Sequence, residues 1–326
     1  MVSLRNIPPI GYTTQNILMS LGTVATSVSA LLFTSTVLLP LSVLRMCLPA
    51  SYLCRPQPSR NVVLIIGASR GIGFEVLKKY STMPDTTIIA ASSSIKNLRD
   101  AASSLGSPAA TIELQQLDLK KTPTSINKAI REWDTAFGPI THLYAISGIS
   151  NHLDDNKPWG LDVTDDIIRV NITGTVSAVL SAYELMKERS YGKICIVGSV
   201  AGFSSPANMI SYASSKAFIN NFGTDLRCLG SSVGVDVVTV APGFIRTRMT
   251  DKMRSQDSSA PGFEFESPEG MATAMVNGVE KGGIGLVSWP WRQAIATYSL
   301  QGLNPLCDTL GRWVTYKAKM SGKKIT

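Results

Sequence analysis

A serine, a tyrosine and a lysine in one stretch of this 326-residue chain have the types and spacing for proton transfer. The run Lys193-Ile194-Cys195-Ile196-Val197-Gly198-Ser199 reads as a buried strand ending in a serine, and thirteen residues after Ser199 comes Tyr212-Ala213-Ser214-Ser215-Lys216. Residues four apart share one face of a helix, so the Tyr212 phenol and the Lys216 ammonium address the same cavity. A nearby ammonium favours phenolate and lowers a tyrosine pKa from its ordinary value of about 10. The pair is then an acid/base usable near neutral pH. An isolated Tyr-x-x-x-Lys usually means a core tyrosine and a surface lysine. Here the serine and a second motif upstream argue for chemistry.

That motif is Gly67-Ala68-Ser69-Arg70-Gly71-Ile72-Gly73, directly after an apolar run and before an amphipathic segment. Glycines let the backbone turn tightly and approach a pyrophosphate, whose charge the free N–H groups at a helix start stabilise. A site selective for NAD offers an acid at the end of the next strand for the ribose 2′-hydroxyl, but Ala90-Ala91-Ser92-Ser93-Ser94 supplies none. A 2′-phosphate meets no repulsion there, with Arg70 as its cation and the serines, Ser92 among them, as neutral donors. The expected cofactor is NADP(H). Against this, Arg70 also fits as an ordinary solvated loop residue.

The turn, the serine and the Tyr-x-x-x-Lys pair together resemble the short-chain dehydrogenase/reductase family over residues 61–289. The resemblance implies that Tyr212 exchanges a proton with a substrate oxygen while Ser199 hydrogen-bonds and orients that oxygen. Lys216 would lower the Tyr212 pKa and hold the nicotinamide ribose. Asn171, in Val170-Asn171-Ile172-Thr173-Gly174, would shape the active-site helix and support a water relay to the lysine. Asp118 would sit beside the adenine, and Ile245 and Thr247, within Pro242-Gly243-Phe244-Ile245-Arg246-Thr247, would contact the nicotinamide carboxamide. Read without the resemblance, Asn171-Ile172-Thr173 is a glycosylation sequon, Asp118 a turn or cap residue, and Pro242-Gly243 a turn. The chain departs from the family pattern twice. Ile66 replaces the threonine before the first glycine, and Ala145-Ile146-Ser147-Gly148 replaces Asn-Asn-Ala-Gly, losing two amides that brace the central sheet and line the cofactor floor.

The elements that position these residues follow from hydrophobic periodicity. Strands are expected at 62–66, 86–91, 111–117, 141–146, 193–197, 235–240 and 285–288, with helices at 71–80, 123–137, 173–189 and 212–229. Alternating strand and helix implies an α/β fold: a doubly wound, parallel, seven-stranded Rossmann sheet with helices on both faces. Residues 248–267 read as a polar, loop-like lid over the substrate, and Trp289-Pro290-Trp291 opens an amphipathic tail. That tail, with Lys317, Lys319, Lys323 and Lys324, could line the pocket, pair subunits or lie on a membrane surface.

No charged side chain lies between Arg5 and Arg45, and residues 17–44 are long and apolar enough to cross a bilayer as a helix, with hydroxyls bonding back to the helix carbonyls. Pro40 would mark the end of the span. A cleaved signal, a transit segment and a helix packed on the protein itself are the competing readings. Arg45, Arg55 and Arg60 after the span, against Arg5 before it, place the large domain in the cytosol. The ending Lys323-Lys324-Ile325-Thr326 resembles a dilysine signal for return to the endoplasmic reticulum. The expected organisation is an N-terminal segment at 1–16, a transmembrane anchor at 17–44, a linker at 45–60, the catalytic domain at 61–290 and a helical tail at 291–326.

Composition narrows the partners. The balance is basic, 31 Lys+Arg against 23 Asp+Glu, but the basic residues are scattered and not interleaved with aromatics, so no nucleic acid is expected. The five cysteines, Cys47, Cys54, Cys195, Cys228 and Cys307, have no CxxC spacing and read as reduced thiols. His142 and His152, the two histidines, lack a third partner, and no metal site is expected. The expected activity is an NADPH-dependent oxidoreductase interconverting a ketone and a secondary alcohol on a lipophilic small molecule, in a homodimer or tetramer. The alternative is a non-catalytic NADP(H)-binding sensor or scaffold with the same fold; an epimerase is disfavoured by the short substrate region.

Overall fold

Hydrophobic runs that alternate from face to face build the centre of the molecule. The computed structural model describes residues 10–46, 58–150, 160–203, 209–255 and 264–301. Arg5, Cys47, Cys54, Arg55, His152, Phe263, Cys307 and the tail lysines 317, 319, 323 and 324 lie outside the described residues. The strands are β1 (Asn61–Ile66), β2 (Thr86–Ser92), β3 (Thr111–Gln116), β4 (His142–Ala145), β5 (Gly192–Val197), β6 (Val235–Pro242) and β7 (Leu286–Trp289). Each agrees with its expected position to within two residues at either end. All pair in parallel, in the order β3-β2-β1-β4-β5-β6-β7. The winding reverses between β1 and β4, where the ends of the strands open a crevice.

Successive strand residues face opposite layers. Val62, Leu64 and Ile66 of β1 pack into one core, and Val63 and Ile65 into the other. Before the sheet come α1 (Ile10–Phe33) and α2 (Leu39–Met46); around it lie α3 (Gly71–Ser81), α4 (Ile95–Ser103), α5 (Pro123–Phe137), α6 (Leu161–Ile167), α7 (Thr175–Glu188), α8 (Ile210–Val233), α9 (Arg248–Ser255), α10 (Pro268–Lys281) and α11 (Trp291–Gln301). One core takes Ile126 and Ile130 of α5, Val179 of α7 and Ile219 of α8; the other takes Leu77 of α3, Leu98 of α4 and Met275 of α10. Caps fix the ends: Thr122 accepts from Ser125 N ahead of α5, Ser267 accepts from Gly270 N ahead of α10, and Gly234, left-handed at φ 86°, closes the 24-residue α8.

Three expectations change. The helix expected from 173 is helical from Leu161 onward, because a π-helical turn at Ile168–Gly174 joins α6 to α7. The extra residue in that turn shifts the apolar stripe around the axis and hides the continuity in the sequence. The first part of the lid, read as loop, forms α9: Thr250 Oγ1 donates to the Ile245 carbonyl and accepts from Thr247 N, anchoring its first turn. Pro40 does not end the apolar helix. A π-helical turn at Thr34–Leu38, in which Leu39 N–H reaches the Thr34 carbonyl, widens the backbone so that the proline ring fits and the helix runs on to Met46. Within the resulting 31-residue apolar stretch Thr14–Leu44 the apolar side chains are exposed. Its hydroxyls at Ser20, Thr23, Ser29, Thr36 and Ser42 donate to carbonyls four residues back at 2.7–2.9 Å.

At the end of the sheet where the strands begin, polar side chains from four elements meet. Glu280 of α10 accepts from Tyr80 of α3 and from Lys193 Nζ of β5 at 2.9 Å, and its Oε1 lies 3.3 Å from His142 Nε2. Tyr80 also meets the Tyr144 hydroxyl at 2.8 Å. Burial alone would raise the Glu280 carboxyl, but His142, Tyr80 and Lys193 together hold it well below the usual carboxylate range. Burial likewise keeps His142 neutral by lowering its pKa from 6.5. For both groups the unfolded chain binds the proton first as pH falls, below 6.5 for the imidazole and below 4.5 for the carboxylate, so stability present at neutral pH is lost in acid. Thermal melts between about pH 4 and 8 should show that loss. Glu280→Ala should cost about 3 kcal/mol at pH 7.5 by leaving Lys193 unpaired, and should flatten the fall below pH 5.

Candidate active site

The glycine turn is set by close contacts that leave no room for a side chain at Gly67 or Gly73. A Cβ on Gly73 would stand 2.1 Å from the Gly67 carbonyl oxygen, and Gly67 and Gly71 have φ of 101° and 55°, a region glycine alone enters without strain. Gly67 and Ala68 N–H both bond to the Ala91 carbonyl of β2, and α3 starts at Gly71, its first residues Gly71, Ile72 and Gly73 bordering a cavity. Ser92 donates to Ser69 at 2.9 Å, joining the turn to the end of β2.

Where the family pattern is broken, the backbone replaces the missing amides. Ile146 N and Ser147 N both bond to the Ile66 carbonyl at 3.0 Å, so β1 and β4 stay joined past their ends without an asparagine. Ile66 itself is buried in the core. Gly148 is retained, and a Cβ there would lie 3.3 Å from Lys216 Nζ and 3.4 Å from Asn171 Oδ1.

Ser199 follows β5, and Tyr212 and Lys216 lie one turn apart on α8, as their spacing predicts. All three border a cavity of about 420 Å³. The other expected site residues that border it are Gly67, Ser69, Arg70, Gly71, Ile72, Gly73, Ser92, Asp118, Ile245 and Thr247. Asp118 serves the turn as well, accepting from Lys120 N at 2.9 Å, so its two readings are compatible. Asn171 does not border the cavity. At 1% exposure it stands behind it in the π-helical turn, accepting from Ile149 N, donating to the Ile149 carbonyl and donating to Ser215 Oγ on α8. Such burial closes the sequon to glycosylation. Among the described residues no group of three or more His, Cys, Asp or Glu could hold a metal.

The electrostatics differ from the expectation. Lys216 Nζ lies 5.8 Å from the centroid of the Tyr212 ring and donates to the Val197 carbonyl at 2.8 Å. Burial lowers its pKa from 10.5 to about 8. Burial raises Tyr212, and the hydrogen bond that pulls it back comes from Ser199, not from the lysine. In this arrangement the phenol is a proton donor at neutral pH.

Asn220 is the positioning residue that motif reading missed. It lies one further turn along the Tyr212 and Lys216 face, and its amide accepts from Ser199 N and donates to the Ser199 carbonyl at 3.0 Å. The spacing 212, 216, 220 was the available signal. Gln293, 5% exposed, was also missed: it accepts from Phe244 N and donates to the Glu264 carbonyl, joining the two stems of the lid. Its partners are 29 and 49 residues away, so no local pattern marks it. Asn171→Ala would strand the Ile149 backbone groups and Ser215, and should lower the unfolding free energy by about 2–3 kcal/mol in denaturant titrations.

Comparison with known proteins agrees with this geometry. The model of the short chain dehydrogenase family matches residues 61–258, more than half of the chain. An uncharacterized oxidoreductase of Myxococcus xanthus is 29% identical over 261 residues, covering 78% of this chain and 98% of that protein. A 3-oxoacyl-(acyl-carrier-protein) reductase of Aquifex aeolicus is 28% identical over 224 residues, 66% of this chain and 88% of that one. Among solved structures, a short-chain dehydrogenase from Sphingobium yanoikuyae in complex with NADPH superposes with a TM-score of 0.62 at 22% identity, covering 74% of this chain and 94% of that one, a likeness of fold. The chain therefore belongs to the short chain dehydrogenase family of oxidoreductases.

Proposed function

We propose that the protein is an NADPH-dependent reductase of a lipophilic ketone, or dehydrogenase of the corresponding secondary alcohol, anchored to a membrane by its N-terminal helix. The observation that carries this reading is that Ser199, Tyr212 and Lys216 border the same cavity as the glycine turn. The turn fits a dinucleotide, because close contacts exclude a side chain at Gly67 and Gly73 and α3 opens at Gly71, where the first N–H groups of a helix have no carbonyl partner within it. The preference for NADPH rests on the absence of a carboxylate in Ala90-Ala91-Ser92 and on Arg70, exposed at the cavity edge and without an ion-pair partner among the described residues.

When bound, the cofactor supplies hydride to the carbonyl carbon or takes it from the alcohol. Tyr212 Oη gives its proton to the substrate oxygen during reduction and takes it back during oxidation. The Ser199 hydroxyl holds that oxygen in place, and Asn220 holds Ser199. Lys216 supplies positive charge behind the phenol, and Asn171 fixes the loop at Ile149 against α8.

Two features support a lipophilic substrate. The cavity wall includes Ile146, Ile149, Val170, Ile245 and Met249, and an apolar helix long enough to cross a bilayer precedes the domain. The arginines after that helix support a cytosolic catalytic domain, and the dilysine-like ending supports residence in the endoplasmic reticulum.

Oxidation of NADPH should be measured against lipophilic and small water-soluble ketones. Turnover with the lipophilic set that falls at least 10³-fold in Tyr212→Phe, with NADPH binding retained, is the expected result. NADPH binding without turnover on any ketone would put the non-catalytic reading in its place. Because kcat/KM reports groups of the free enzyme, it should fall as pH rises through about 8, where Lys216 loses its charge.

A further inference from the structure

The arginine that opens the lid helix has no side-chain partner among the described residues. Arg248 is the first residue of α9, where the helix dipole is already positive and a cation is disfavoured. It is exposed, and among the described residues its side chain makes neither an ion pair nor a hydrogen bond; the same is true of the Arg70 side chain. The two arginines share a place. A second cavity, of about 400 Å³, opens beside the first, and Ser69, Arg70 and Arg248 border both. The two segments lie side by side: a Cβ on Gly71 would stand at ordinary contact distance, 3.4 Å, from Thr247 Cγ2, so the residue before Gly71 and the residue after Thr247 flank one point of approach. Asn97 and Asp100 of α4 border the second cavity too, and Asp100 pairs with neither arginine.

Two guanidinium groups bordering one cleft favour an anion there. The cleft joins the glycine turn to the end of β2, where Ser92 donates to Ser69, which is where the 2′-side of an adenosine ribose would lie on the reading proposed above. We infer that Arg248 is a second cationic contact for the adenosine 2′-phosphate, carried by the lid rather than by the nucleotide-binding half. This inference rests on the NADPH reading and adds a consequence to it. The phosphate that distinguishes NADPH from NADH draws α9 toward Arg70, so lid closure and cofactor choice are one event. NADH would leave the lid without that attraction.

The test uses the full chain in detergent with 2′,5′-ADP and 5′-ADP as probes, titrated by calorimetry, so that no turnover is needed. Wild type should bind 2′,5′-ADP more tightly. Arg248→Ala should lose about tenfold for 2′,5′-ADP and nothing for 5′-ADP, which also reports an intact fold. Arg248→Lys should recover part of the loss. Hydrogen exchange of residues 248–255 should slow with 2′,5′-ADP and not with 5′-ADP. An Arg248→Ala variant that keeps its preference, or that weakens both ligands equally, would overturn the inference while leaving the NADPH reading intact. A wild type with no preference, matched by an indifferent Arg70→Ala, would sink both.

Discussion

A buried ammonium organises this molecule. Lys216 is 4% exposed, and an ionised amine out of water costs several kcal/mol unless it is hydrogen-bonded. Its bond to the Val197 carbonyl joins α8 to the end of β5 and fixes the rotation of that helix about its own axis. The remaining features of the face follow from that rotation. Tyr212, one turn earlier, faces the cavity, and Asn220, one turn later, reaches the backbone of Ser199. Glycines make the approach possible, since a Cβ on Gly202 would lie 2.6 Å from the Lys216 carbonyl carbon.

The two ends of the parallel sheet use polar groups in opposite ways. Where the strands begin, Tyr80, Tyr144, Lys193 and Glu280 hydrogen-bond one another beside the buried His142, and such a network holds neighbouring elements in register. Where the strands end, Arg70, Arg248 and the Tyr212 phenol are left facing cavities. Parallel strands require this division of labour, because their crossover helices bring N-termini and short loops to the C-terminal edge. Unsatisfied groups are tolerated at that edge because water or a ligand reaches them, and the opposite edge supplies the rigidity that keeps them placed.

The helix at the N-terminus is built on the opposite pattern. Its hydroxyls turn back onto its own carbonyls and its apolar side chains face outward, the reverse of the amphipathic helices around the sheet. The exposed leucines of Thr14–Leu44 find no burial against the described part of the domain. A lipid core would supply it, as the membrane-anchored reading proposed above requires.

Much of this was legible in the chain. The seven strands alternate or run apolar in ways that only a buried parallel sheet explains, and the glycine turn and the Tyr212–Lys216 pair carry their geometry in their spacing. Each depends on contacts within a few residues. The continuity of α6 and α7 was hidden because a π-helical turn breaks the period that reveals a helix, and α9 because its residues are polar whether they coil or wind. Tertiary structure alone decided the rest. The clamp of Gln293 on both stems of the lid, the sharing of one cleft by Arg70 and Arg248, and the polar cluster around Glu280 each bring together residues tens to hundreds of positions apart. The rise of the Tyr212 pKa belongs with them. Spacing puts an ammonium near the phenol, but only the packed structure determines that burial raises the phenol against the pull of Ser199 and that the lysine gives its hydrogen bond to Val197.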